Sequence, residues 1–149
     1  MVSELRTLIA YLSYSGNTLE VAELMEEKLK EMDCIVEVHR IGIDPPIYPE
    51  KYDIIFLGTF TWAQGATPDE VKDFVLEIGY KPANIAVFGT GETQFGGDEL
   101  FCKAAVKLAR FYESRWEVLK IEQSPRGSQE IKVERWIEGV LESEKYLIG

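Results

Sequence analysis

The chain has 149 residues, 46% of them hydrophobic and 28% charged, which suits one domain over residues 1–149 built on a single well-filled core. Acidic side chains outnumber basic ones by 26 to 16, a formal net charge of −10; such a field disfavours nucleic acid and anionic membranes and favours brief docking to basic protein surfaces. No run approaches the about 18–20 consecutive apolar residues that span a bilayer, and the first six residues lack the order of a signal peptide, so a cytoplasmic protein without membrane contact is expected.

The first element, Leu8-Ile9-Ala10-Tyr11-Leu12, is continuously apolar and reads as a strand buried on both faces. A turn rich in hydroxyls follows (Ser13, Tyr14, Ser15, Gly16, Asn17, Thr18), and then Val21, Ala22, Met25, Leu29 and Met32 repeat at helical spacing. Ile35-Val36-Glu37-Val38-His39-Arg40 alternates apolar with polar residues, the pattern of a strand at a sheet edge. Ile54-Ile55-Phe56-Leu57 is again a central strand, and a Gly/Thr-rich loop leaves it. A helix start follows, with Thr67 as the cap, Pro68 in the first turn and Glu70 closing a capping box, and Gly79 is placed to end that helix. Ile85-Ala86-Val87-Phe88 is a third central strand, followed by a glycine-rich loop and a stripe of Phe101, Ala104, Ala105, Leu108 and Tyr112. Trp116-Glu117-Val118-Leu119-Lys120-Ile121, interrupted by charge, reads as the other edge strand, and Val133, Trp136, Ile137 and Val140 make the last helical stripe.

Alternating strands and helices specify an open, doubly wound α/β sheet with right-handed crossovers. With strands one, three and four inside, the expected fold is a three-layer sandwich around a five-stranded parallel sheet in the order 2-1-3-4-5. In that order the winding reverses between strands one and three, so a crevice opens beyond their carboxyl ends. A ligand there touches the loops after strands one, three and four.

Those loops hold the unusual residues. Residues 13–18 combine exposed amides, a helix N-terminus and short hydroxyl donors, an anion nest without lysine or arginine. It suits a terminal phosphomonoester better than a nucleoside triphosphate with magnesium, and on its own it reads equally well as a helix cap. Trp62 stands in the loop after strand three, either presenting its indole face to a flat heteroaromatic ligand or folded back on the sheet edge. The loop after strand four, Gly89-Thr90-Gly91-Glu92-Thr93-Gln94-Phe95-Gly96-Gly97-Asp98, has glycines that let backbone approach a ligand and offers Phe95 as a second aromatic face. Cys34 and Cys102 stand apart, without partners at metal-ligand spacing, and read as structural thiols in a reducing compartment. The single histidine, His39, leaves little material for metal or His-centred acid–base chemistry.

In motif order and over essentially its whole length, the chain resembles the short-chain flavodoxins. Ser13-x-Ser15-Gly16-Asn17-Thr18 is similar to that family's phosphate loop, Thr61-Trp62 to the loop whose Trp covers one flavin face, and residues 89–97 with Leu100-Phe101-Cys102 to the loop-helix over the other face. The resemblance implies a flavodoxin-like fold and a tightly, non-covalently bound FMN. The cofactor-binding residues it implies are Ser13, Tyr14, Ser15, Gly16, Asn17 and Thr18 in the first loop. Thr59, Phe60, Thr61, Trp62, Ala63 and Gly65 follow in the second, and Gly89, Thr90, Gly91, Thr93, Gln94, Phe95 and Gly96 in the third. Two positions depart from the usual pattern. Phe95 replaces a Tyr, keeping the stacking area without the hydroxyl. Ala63-Gln64 replaces a Gly-Asp pair whose peptide turns toward flavin N5 on reduction in relatives, and Ala carries a steric penalty at positive φ that Gly does not.

What the resemblance implies is a low-potential one-electron carrier between redox proteins, a monomer with no substrate turnover and no catalytic residues of its own. Its donor would be a flavodoxin reductase or a pyruvate oxidoreductase, and its acceptors iron–sulfur enzymes, cytochromes P450, desaturases or other flavoproteins. Alternative readings are an FMN-dependent NAD(P)H reductase, which needs an open flavin face, and a flavodoxin-like activator of ribonucleotide reductase, which has a shorter glycine loop. A response-regulator receiver shares the topology but needs an aspartate at the end of strand three, where this chain has Gly58.

Overall fold

The structure is a computed structural model that describes residues 5–61, 66–91, 102–123 and 125–148, with side chains to residue 144. Five strands, β1 (Arg6–Tyr11), β2 (Ile35–Arg40), β3 (Ile54–Phe60), β4 (Ile85–Gly91) and β5 (Leu119–Glu122), form one sheet in the order β2-β1-β3-β4-β5. All four pairings are parallel. Helices α1 (Asn17–Glu31), α2 (Asp69–Ile78), α3 (Lys103–Phe111) and α4 (Ser128–Ile148) cross between or follow the strands. The three continuously apolar runs occupy the three interior positions, because only there are both faces of a strand covered.

Side chains one apart on a strand fall on opposite faces, and two cores result. Ile9, Tyr11, Phe56, Phe88 and Ile121 pack with Val21, Met25 and Leu29 of α1 and Val133, Ile137 and Val140 of α4. Leu8, Ala10, Ile55, Leu57 and Val87 pack with Val71 and Phe74 of α2 and Ala105 and Leu108 of α3. Each fully buried side chain of this size contributes roughly 1.5–3 kcal/mol relative to its exposed state. His39 belongs to this second side: it is 6% exposed, its ring is 5.4 Å from that of Phe74, and burial lowers its pKa. Cys34 is half-buried and Cys102 buried, and burial pushes the Cys102 thiol up to about 11.

Several element boundaries differ from the sequence expectation: β1 runs from Arg6 to Tyr11 rather than from Leu8 to Leu12, and β3 and β4 continue through Gly58–Phe60 and Gly89–Gly91, which the sequence placed in loops, because those residues keep pairing with the neighbouring strand. The capping box at α2 does not form: Pro68 is the N-cap, extended at ψ 144°, with no side-chain cap bond. The amides of Val71 and Lys72 go instead to the Pro68 carbonyl, at 3.1 and 3.2 Å, while Thr67 turns into the protein. The other end behaves as expected, since Gly79 sits at φ 78° and donates to the Val75 carbonyl. Strand β5 starts at Leu119, opposite Phe88, rather than at Trp116. Trp116 leaves the strand line to enter the core beside α4, with the Arg115 guanidinium 4.5 Å over its ring and bonded at 2.9 Å to the buried Glu144. Phe101 of the helical stripe lies outside the described residues.

Candidate functional site

The loops after β1, β3 and β4 leave the same carboxyl edge of the sheet. The first is the best defined. Gly16 adopts φ 97° as the N-cap of α1, a conformation other residues take only with strain, and nothing lies within 4 Å of where its Cβ would be. No side chain caps α1 from that position. Ser13 does so from three residues earlier: its Oγ accepts from the amides of Gly16 and Leu19, both at 3.2 Å. With both lone pairs of Ser13 engaged, its own proton is left to donate outward.

Thr18, in the first turn of α1, is 1% exposed, and its Oγ1 lies 2.8 Å from that of Thr90 in β4. Tyr14 stands out from the loop, 57% exposed, its ring 5.0 Å from that of Phe60 at the end of β3. Thr61 Oγ1 accepts the amide of Ala104 at 3.1 Å and so ties the loop after β3 to the head of α3. Gly91, ending β4, accepts the amide of Gln123 at 2.8 Å through its carbonyl.

Sheet packing accounts for two glycines. A Cβ on Gly58 would sit 2.1 Å from the Phe88 ring, so no aspartate fits the receiver position. A Cβ on Gly89 would meet that of Ala105 at 2.6 Å, which ties this glycine to the close approach of α3. Thr59 is fully buried, and its hydroxyl donates to the Phe60 carbonyl at 2.8 Å. Thus Ser13 meets Gly16, Tyr14 meets Phe60 and Thr18 meets Thr90 at this edge. Ser15 lies in the same loop, exposed, and Asn17, half-buried, opens α1. Trp62, Ala63, Gly65, Thr93, Gln94, Phe95 and Gly96 lie outside the described residues.

Chain order hides one charged neighbour of this site. Arg126, in the turn before α4, donates from Nη1 to Glu20 in the first turn of α1, at 3.0 Å. The loop itself carries no cation, so composition alone points to neutral donors only. Topology supplies the missing signal, because the loop after β5 also leaves the carboxyl edge of the sheet. An open groove of about 380 Å³ also flanks the Ser13–Gly16 segment, but Arg40, Ile41, Gly42 and Ile43 form its other wall. It therefore lies on the β2 side of the loop, away from β3 and β4.

The donor set fits a phosphate monoester. Hydroxyl protons from Ser13 and from the Thr18–Thr90 pair, amides at the head of a helix and the positive end of its dipole could together hold a dianion without a metal. The family model described as Flavodoxin matches residues 9–115. Probable flavodoxin 2 of Bacillus subtilis (strain 168) is 36% identical over 136 residues, covering 84% of this chain and 87% of that protein. Flavodoxin 1 of Escherichia coli (strain K12) is 31% identical over 112 residues, covering 73% of this chain and 62% of that one. Among solved structures, oxidised Flavodoxin 2 from Bacillus cereus superposes with a TM-score of 0.81 at 34% identity, covering 93% of this chain and 99% of that one.

Proposed function

The chain belongs to the flavodoxin family, and we infer that it does that family's work, binding FMN and carrying electrons between redox proteins. The bound flavin supplies the redox chemistry, while the protein holds, orients and electrostatically tunes it. The observation that carries this reading is the head of α1. There a left-handed glycine and buried and half-buried hydroxyls meet at the carboxyl edge of a 2-1-3-4-5 sheet, beside the switch point where such folds take ligands.

In this reading Ser13, Ser15, Asn17 and Thr18, with the amides of their loop, hold the phosphate. Tyr14, the segment from Thr59 to Ala63 with Gly65, Gly89 with Gly91, and Thr93 to Gly96 surround the rest of the cofactor, with Trp62 and Phe95 against the ring faces, while Thr90 stands behind Thr18 at the phosphate end. The chain acts as a carrier, with no substrate of its own to turn over. Its net charge of −10 opposes adding negative charge to the ring, which favours a low potential for the second electron. Basic patches on a flavodoxin reductase or pyruvate oxidoreductase as donor, and on an iron–sulfur, P450, desaturase or flavoprotein acceptor, suit this acidic surface.

The test is anaerobic stepwise reduction of the purified protein followed by its visible spectrum. Two resolved one-electron steps are expected. A single two-electron step would move the assignment to a hydride-accepting reductase, and failure to take up FMN would overturn the cofactor.

A further inference from the structure

We propose that Thr90 is a positioning residue: by donating its hydroxyl proton to Thr18 Oγ1 it turns the Thr18 proton toward the phosphate of FMN. The inference rests on the FMN reading above.

The two hydroxyl oxygens are 2.8 Å apart, and either can donate. Both side chains are 1% exposed, so neither hydroxyl exchanges freely with water. Each hydroxyl has one proton and two lone pairs. The pair therefore holds two protons and uses one between them. Among the described residues no other hydrogen bond reaches either oxygen. A buried polar proton without an acceptor is costly, and native structures seldom leave one.

Position decides which residue presents the spare proton. Thr90 lies in the sheet, opposite Phe60 of β3 on one side and Ile121 of β5 on the other. Its side chain shares the α1 face of the sheet with that of Phe88, two residues earlier. Thr18 is in the first turn of α1, two residues after Gly16, where the amides and the helix dipole gather negative charge. When Thr90 donates, the spare proton sits on Thr18, at the anion. When Thr18 donates, the spare proton faces the sheet and the anion loses a donor. A bound phosphate thus selects the first arrangement, and Thr90 acts without touching the ligand.

The experiment compares wild type, Thr90→Val and Thr90→Ser as apo-proteins titrated with FMN and with riboflavin, which has the ring but no phosphate. Val keeps the shape of Thr and removes the donor; Ser keeps the donor. For Thr90→Val the FMN dissociation constant should rise about threefold, since the Thr18 hydroxyl keeps its proton but loses the partner that turns it toward the anion, with riboflavin affinity unchanged. Thr90→Ser should bind FMN within about twofold of wild type, since its donor is intact. In a Thr18→Val background, Thr90→Val should cause no further loss of FMN affinity. Equal weakening toward FMN and riboflavin, or a Thr90→Ser variant as weak as Thr90→Val, would show a structural role and overturn the proposal. Should Thr90→Val not fold, the thermal midpoint of apo Thr90→Ser with and without inorganic phosphate decides, because the proposal requires phosphate to stabilise it as it does wild type. If wild type itself takes up no FMN, the functional reading falls; if wild type binds FMN and Thr90→Val binds it equally well, only the Thr90 assignment falls.

Discussion

At the scale of single residues, the phosphate site proposed at the head of α1 supplies positive potential without a lysine or arginine in the loop. Ser13 illustrates the method: one hydroxyl accepts two amides to fold the turn, and in the proposed reading its proton is kept for the phosphate. Glu20 works against this, since a carboxylate in the first turn of α1 repels a bound dianion, and Arg126 offsets it at 3.0 Å. Replacing Arg126 with Gln should weaken FMN binding about two- to threefold at low salt, an effect that fades as the Debye length shrinks. The loss should be reversed by adding Glu20→Gln and absent for riboflavin, both read by flavin fluorescence. Unchanged FMN affinity in low salt would show that the pair lies outside the reach of the phosphate.

Helices and strands are joined at this edge by bonds between elements that are distant in sequence. Cys102, the N-cap of α3, has φ 54° and offers no side-chain cap, and the amide of Ala104 is met instead by Thr61 from the end of β3. A helix capped by another element is fixed to it, which sets the distance between the loops after β3 and β4. Removing that cap with Thr61→Val should cost about 0.5–2 kcal/mol in urea unfolding, whereas Thr61→Ser retains it. Equal stability of both variants would show that the helix head finds another acceptor. Close contact does similar work in the sheet, where Gly58 admits the Phe88 ring and Gly89 admits α3.

Across the whole molecule, electrostatics sets the kind of partner. A net charge of −10 gives a long-range field that accelerates encounter with basic proteins and is screened by salt. Electron transfer to a basic redox partner should therefore slow about tenfold or more between roughly 20 and 500 mM salt, measured by stopped flow under pseudo-first-order conditions. A rate independent of salt would exclude charge-steered docking. Among the described residues no helix is long and apolar enough to cross a membrane, and no group of His, Cys, Asp or Glu is placed to hold a metal ion.

The sequence by itself determined the sheet order, because continuous apolar strands can be buried only in the middle of a parallel sheet and mixed ones tolerate its edges. It also pointed to the family, because its three loop motifs resemble those of the flavodoxins in residues and in order. Local rules failed where tertiary packing competed with them. Thr67 has the chemistry of a cap, yet the extended Pro68 starts α2 and carries Thr67 inward. Trp116 has the propensity of a strand residue, yet a large ring next to Arg115 and Glu144 is better buried beside α4. Only the tertiary structure decided the partners of Thr18 and Glu20. Thr90 and Arg126 lie 72 and 106 residues away along the chain, and composition or periodicity carries no record of which distant side chain a buried hydroxyl or a paired carboxylate will meet.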